Sequence, residues 1–346
     1  MLRLQLIPET PESGPSWACA EIRLLRPYRH PALAGRAVAV VGRRLVPERL
    51  DLVVTQRAGP PDACLEDIVA LVREIRRRGI QLLYDLDDDI LSDHPSAAVE
   101  RELGRQRAKI RFLLREADAV IVTTPVLAAR VRPLARRVLI WPNAIDERLA
   151  LPDSEVMPPG REGADLGYFG THSHLPDLMA VLARVQEGLH GLPGRPEVAF
   201  LGVSADPRLA RLLGWRCRVT AHPATGSYPA FLAWLQRSGP WKTGLAPLCD
   251  APFNAAKSDI KFLDYAVAGI PGIYADTPVY AAVRHGETGL KVPLDNFGDA
   301  VRALLGDAAL RRRIRVAARE AVLGERTLAR TVPALWGILE QALEPA

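Results

Sequence analysis

Lysine is scarce in this 346-residue chain: five of its 45 positive residues are lysines and the rest are arginines. Two of those five, Lys257 and Lys261, stand four residues apart. Cysteine is as sparse. Cys19, Cys64, Cys217 and Cys249 lie far apart with no C-x-x-C pair, which excludes a disulfide framework or a finger-type zinc site and reads as reduced thiols. No stretch approaches the roughly 18 uncharged apolar residues of a membrane span, and MLRLQLIPETPESG lacks the apolar core of a signal peptide. The expected location is therefore cytoplasmic. No tandem period of about 20–50 residues is visible, which excludes a solenoid. A balance of 48% hydrophobic and 25% charged residues excludes disorder and coiled coil. The net charge of +5 suits an anionic ligand or a membrane surface, but no Arg/Lys block is dense enough for nucleic acid.

What is present is an alternation of short apolar runs with amphipathic stretches. LDLVVTQ (50–56), IQLLYDLDDD (80–89), DAVIVTT (118–124) and RVLIWPN (137–143) read as strands, the second running into an acidic turn. CLEDIVALVREIRRRG (64–79) reads as a helix ending at Gly79, and 96–117 as one long helix. LPDSEVMPPGREGAD (151–165) has no periodicity and reads as a linker, after which the alternation restarts with LGYFG (166–170), VAFLGV (198–203), a strand near 216–220, GLAPL (244–248) and PGIYAD (271–276). Helices fill 296–346, with Trp336 and Leu339 as anchors. This is an α/β pattern of two Rossmann-like domains with a cleft between them. The expected division is 1–155, 156–325, and a C-terminal helix at 326–346 that packs back toward the first domain.

The densest chemical signal is GLAPLCDAPFNAAKSDIKFLDYAVAGIPGIYAD (244–276): strand, loop, and a helix that starts around Ser258–Ile260 and stops at Gly269. Helix N-termini at the carboxyl ends of such strands present unpaired N–H groups and a partial positive charge, a ready phosphate site. Lys257, Ser258 and Lys261 gather there, and Asp264, one to two turns in, is placed to accept from ribose hydroxyls. The plainer alternative is an N-capped helix with solvated lysines.

These residues carry a resemblance. The run with KSDIKFLDY (257–265) is similar to the donor-site segment of GT-B glycosyltransferases of family 4 (glycosyl transferases group 1), above all the bacterial O-antigen and polysaccharide subgroup, and HGETGLKVP (285–293) resembles a second segment of that family. The resemblance implies a GT-B architecture in which the helix N-terminus with Lys257, Ser258, Asp259 and Lys261 holds the donor's diphosphate and Asp264 meets the ribose. LGYFGTHSHLPDL (166–178) resembles the first strand and loop of the same donor domain, with Gly170, Thr171, His174 and Asp177 in matching places; Gly170 lets the backbone approach a phosphate closely, and Thr171, His172 or His174 is placed to donate to it. Two departures stand out: Ala256 occupies the place of the family's first glutamate, and Asp264 is shorter than its second.

In the first half, YDLDDDILSDHP (84–95) sets Asp85, Asp87, Asp88 and Asp89 beyond a buried strand. Carboxylates on one turn repel each other unless a cation, arginines or solvent relieves them. Three readings stay open: a D-x-D metal site, an N-cap, and the cleft-lining role that the resemblance implies. Arg57, at a strand end in QRAG, faces acceptor or phosphate or else pairs with the acidic turn. Asn143 in WPNAID reads as a turn residue. Arg101, Arg105, Arg111 and Arg115 on 99–118 form a solvated face, with a peripheral membrane contact as the lesser reading.

The function these expectations add up to is transfer of a sugar from a nucleotide-diphosphate donor to a glycan or lipid-linked acceptor, by a retaining and metal-independent route without a cofactor. Were the reaction inverting, its base would come from Asp85, Asp87, Asp88 or His94, with Arg57 and Asp89 toward the acceptor. A nucleotide-sugar 2-epimerase and a non-catalytic binding subunit remain the alternatives.

Overall fold

The computed structural model describes residues 1–156, 163–190, 192–203, 218–222, 226–237 and 241–343, the stretch 218–222 as backbone only. The middle of the expected linker, at 157–162, lies outside the described residues, as do 216–217 and 344–346; its first part holds a short helix, Asp153–Val156. The chain forms two compact units. One comprises Met1–Asp146, Ala255–Ser258 and the residues from Thr327 on; the other comprises Glu147–Asn254 and Asp259–Arg326.

In the first unit β1 (Leu2–Ile7), β2 (Ala37–Val41), β3 (Leu52–Gln56), β4 (Gln81–Leu86), β5 (Ala119–Val122) and β6 (Val138–Ile140) build a parallel sheet in the order β2-β1-β3-β4-β5-β6. In the second, β7 (Leu166–Phe169), β8 (Glu197–Leu201), β9 (Arg218–His222), β10 (Thr243–Ala246), β11 (Gly272–Ala275) and β12 (Leu290–Val292) are parallel in the order β12-β11-β10-β7-β8-β9. Each order reverses direction once: between β1 and β3 in one sheet, between β7 and β10 in the other. At such a reversal neighbouring loops diverge to opposite faces and open a crevice at the strands' carboxyl ends, the usual ligand position of α/β sheets.

Continuous apolar strands follow from helices on both faces of a parallel sheet. β3 is buried along its whole length. In the first unit Leu4, Leu6, Leu52, Val54, Leu83 and Ile121 pack with Leu328, Val332, Leu335 and Leu339 of the last helix, Leu328–Leu343. In the second, Leu166, Tyr168, Phe200, Leu245 and Ile273 pack with Val181 and Val185 of helix Leu175–His190 and with Phe297 and Val301 of helix Phe297–Gly306. Each such side chain contributes about 1.5–3 kcal/mol on burial. Backbone approach is just as tight: a Cβ on Gly167 would lie 1.8 Å from the Trp241 ring.

The helices Leu65–Arg77 and Ile260–Val267 end where the glycines predict, with Gly79 at φ 64° and Gly269 at φ 65° in the left-handed region that closes a helix without a Cβ penalty. The single helix expected over 96–117 is instead two, Ala97–Gly104 and Arg107–Glu116. Gly104 ends the first, and the Arg107 guanidinium turns back to the carbonyls of Ile90 and Ser92, each at 2.8 Å, which ties the start of the second to the segment after β4. ACAEIRLLRPY is helical throughout, as Ala18–Ala20, Glu21–Leu25 and Arg26–Tyr28, with a π-wound middle turn. The wider turn accommodates Pro27, whose ring would meet the carbonyl four residues back. No helix among the described residues is long and apolar enough to cross a membrane.

Candidate functional site

The reversal in the first sheet brings the ends of β1, β3 and β4 together. Glu9 follows β1, Arg57 follows β3, and Asp87 and Asp88 follow β4. Arg57 Nε lies 3.3 Å from Glu9 and 3.4 Å from Asp87, and its Nη2 lies 3.9 Å from Asp88. Asp88 also faces Lys257 Nζ at 3.6 Å. Arg57 is the only non-glycine residue at positive φ among those described, at 47°. Its N–H is held by the Asp85 carbonyl and its C=O by the Tyr84 hydroxyl, at 3.0 and 2.8 Å, so both ends of a strained peptide are fixed. Burial pushes Glu9 and Asp87 above the usual carboxylate range while Arg57 draws them back. Burial opposes the charge on Arg57, but Asp87 and Glu9 outweigh it and raise its pKa further. Cys19, against the same cluster, is pushed up by burial to about 12 and is inert as a nucleophile.

Asp85 points elsewhere. It is 1% exposed, and both its oxygens accept from Arg23, at 3.1 and 2.8 Å. Arg23 is fully buried, gives its remaining donor to Trp141 O and Asn143 Oδ1, and lies over the Trp141 ring at 4.7 Å. Asn143 is more than a turn residue: its amide nitrogen donates to Ser258 Oγ at 2.8 Å. Thr124 Oγ1 likewise donates to Ala256 O at 2.9 Å. Lys257 and Ser258 are thus held within the first unit. Asp89 accepts from Ser92 and Arg130. His94 Nδ1 accepts from Ser96 N at 3.0 Å, while its backbone N–H donates to Glu100. Among the acidic-turn residues singled out from sequence, Asp87 and Asp88 gather with Arg57, whereas Asp85, Asp89 and His94 each belong to a separate bonded set.

In the second unit β7 runs into Gly170, and Thr171 and His172 are exposed beyond it. Thr171 Oγ1 lies 2.8 Å from Ser173 Oγ. The His174 ring packs on Gly170, where an added Cβ would come within 3.1 Å of the His174 Cβ. The helix Ile260–Val267 begins after Asp259, whose carboxylate forms a two-pronged bond with Arg326, 3.0 Å on each side. Lys261 is 7% exposed, with its ammonium 5.4 Å from the Tyr168 ring and 5.1 Å from the Phe169 ring. Asp264 accepts from the Tyr228 hydroxyl at 2.8 Å; burial lifts its pKa to about 7, against the lowering pull of that bond and of Lys261. Sequence reasoning missed Glu9, Arg23, Tyr228 and Arg326, all reached through long-range contacts.

No family model matches the chain, and no curated protein does. Solved structures do. A sucrose-phosphate synthase from Thermosynechococcus elongatus superposes with a TM-score of 0.69 at 15% identity, covering 99% of both chains. HepE from Anabaena, solved in complex with UDP-glucose, gives 0.65 at 13% identity over 99% of this chain and 100% of its own. A glycosyltransferase from Rickettsia africae gives 0.60 at 8% identity over 100% and 99%. The fold of this chain is the GT-B fold of glycosyltransferases, with two parallel Rossmann-like sheets.

Proposed function

We propose that the chain is a glycosyltransferase that moves a sugar from a nucleoside-diphosphate donor, UDP-linked in the first instance, to a glycan or lipid-linked acceptor. The observation that carries this reading is the strand reversal between β7 and β10, whose flanking loops bear the Gly170–His174 segment, in a fold shared with HepE, a protein solved with UDP and with UDP-glucose. In this reading the diphosphate lies against Gly170, Thr171, His172, His174 and the start of helix Ile260–Val267 with Lys261, and Asp264 faces the ribose. Lys257 and Ser258 are candidates by their position just ahead of that helix. The first unit binds the acceptor near Arg57, Asp87 and Asp88.

Transfer breaks the bond from the anomeric carbon to the diphosphate oxygen and forms one to an acceptor oxygen. The acceptor's proton leaves to a carboxylate or to the departing diphosphate. Donors and cations fixed beforehand where charge gathers on that diphosphate lower the barrier, often by the largest single share. Lysine and helix-terminal N–H groups perform this neutralisation without metal, and a retaining course needs no separate base; both belong to the proposal. Ala256, fully buried in the place of the family's glutamate, favours a second reading in which the chain binds a sugar nucleotide without transferring it.

The test is thermal unfolding with UDP, GDP, dTDP, ADP and CMP, each with and without EDTA, followed by turnover of the matching sugar nucleotide. A ligand at a hundred times its Kd adds about 2.7 kcal/mol of stability. A shift with one diphosphate, unaffected by EDTA and followed by acceptor-dependent release of that diphosphate, is the expected result. A shift abolished by EDTA returns a metal to the reaction. Sugar-nucleotide turnover without acceptor indicates an epimerase, and binding without turnover the non-catalytic reading.

A further inference from the structure

The reversal between β7 and β10 has a carboxylate at its centre that the reading above does not use. Asp177, in the first turn of helix Leu175–His190, is 3% exposed. Its Oδ1 accepts from the backbone N–H of Cys249, on the loop after β10, at 2.9 Å and from Nδ2 of Asn254, in the short helix Pro252–Ala255 that ends that connection, at 2.8 Å. Its Oδ2 lies 3.4 Å from Nδ1 of His174, on the loop after β7. The two loops that flank the reversal therefore meet on one buried side chain. The His174 ring packs on Gly170, which leaves room for it, and the residue's main chain is held by the buried Tyr168 hydroxyl, which donates to the His174 carbonyl at 3.2 Å.

We infer that Asp177 is a positioning residue that accepts from Nδ1–H of His174 and stabilises the doubly protonated ring, whose Nε2–H donates to a diphosphate oxygen of the donor. The inference rests on the donor-site reading and names the group that readies its histidine. A carboxylate at Nδ1 selects the ring's tautomer and stabilises the imidazolium, and a cationic imidazole forms the stronger, charge-assisted bond to phosphate. Asp177 is itself held by two N–H donors, so it keeps its place whatever the histidine's charge. The other titratable groups here are His172, on the same segment as the ring, and Tyr168 on β7, Cys249 on the loop after β10 and Tyr280, each of which feels the Asp177 charge; Lys261 lies above the Tyr168 ring.

The experiment uses the full chain and nitrogen-detected NMR of the His174 ring, first without nucleotide. In the wild type the ring carries its neutral-state proton on Nδ1. Asp177→Asn keeps an oxygen for Cys249 and Asn254 but turns an amide toward the ring, so the tautomer switches to Nε2–H and the titration midpoint falls by about one unit. An unchanged tautomer and midpoint overturn the inference. UDP titrations between pH 5.5 and 8.5 follow. Wild-type affinity falls as pH rises through the His174 midpoint; Asp177→Asn binds about tenfold more weakly at low pH and loses the pH dependence. His174→Gln, which spares Asp177 and its loop contacts, binds weakly at every pH. Wild-type affinity that ignores pH overturns the role assigned to the pair. Coupled NMR behaviour with no nucleoside diphosphate bound overturns the donor-site reading, and with it the ligand assigned to His174, while leaving the pairing itself intact.

Discussion

Tyr228 and Asp264 meet at 2.8 Å, the phenol donating to a carboxyl that burial has lifted to about pKa 7. The folded carboxyl holds its proton up to about pH 7, whereas an unfolded one releases it near 3.8. The folded state is therefore the better proton binder across that window, and this residue's contribution to stability declines as pH rises from about 4 to 7. Asp264→Asn keeps an acceptor for Tyr228 and carries no charge. It raises the melting temperature at pH 8, by an amount corresponding to up to about 4 kcal/mol, and leaves it nearly unchanged at pH 4. Tyr228→Phe removes one of the two lowering influences and steepens the decline. Melting curves of the three proteins at pH 4, 6 and 8 check both.

Arg23 and Asp85 form a pair with neither side chain in contact with water. Removing one partner strands a buried charge, at a cost of about 3–5 kcal/mol, whereas replacing both with apolar residues of similar volume recovers much of it. Arg23→Met alone should lower the urea midpoint sharply, and Arg23→Met with Asp85→Leu should restore most of the loss. A single variant as stable as the double one contradicts the pairing.

Arg57→Gly places at φ 47° a residue at ease there, relieving strain of about 1–3 kcal/mol. It also takes the counter-charge from Glu9 and Asp87. With their carboxyls raised further, the folded state binds protons more tightly than the unfolded one, so the variant is weakest at pH 8 and recovers toward pH 5. Urea unfolding at those two pH values should show a wider gap from wild type at the higher one.

Gly167→Ala forces a methyl to within 1.8 Å of Trp241. The ring must move in a packed core, and overpacking of this kind costs about 1–3 kcal/mol. Trp241→Leu in the same chain vacates that space, so the pair of changes should be less than additive in a double-mutant cycle.

Lys261→Met keeps an apolar stem over Tyr168 and Phe169 and removes the ammonium. Under the proposed function the Kd for the preferred nucleoside diphosphate rises tenfold or more, with the chain still folded by circular dichroism. An unchanged Kd removes Lys261 from the donor site.

The sheets were legible because parallel strands covered on both faces are written as continuous apolar runs, and the helix ends at Gly79 and Gly269 because only glycine sits at ease in the conformation that closes a helix. The strand, loop and helix of 244–269 were legible through their local pattern. The partners of those residues were not. Arg23 lies in a helix that reads as ordinary and amphipathic, and its contacts are 62 to 120 residues away. Tyr228 stands 36 residues before Asp264, and Arg326 stands 67 after Asp259. Nothing in a local pattern separates a buried arginine from a surface one; its burial follows only from which strand ends the sheet order brings together. The break at Gly104 was hidden for a related reason, because the guanidinium that anchors the start of the second helix reaches a turn 15 to 17 residues earlier.

Because the first unit is assembled from three separate stretches, the order of synthesis matters to it. The second unit has its whole chain by Arg326, but the first waits for the helix Leu328–Leu343, which supplies Leu328, Val332, Leu335 and Leu339 to the core around Leu4 and Leu6. On a ribosome, the unit begun before the other is completed after it. Until then that nascent sheet lacks part of the cover of its apolar face, a window in which chaperone capture or aggregation competes with folding.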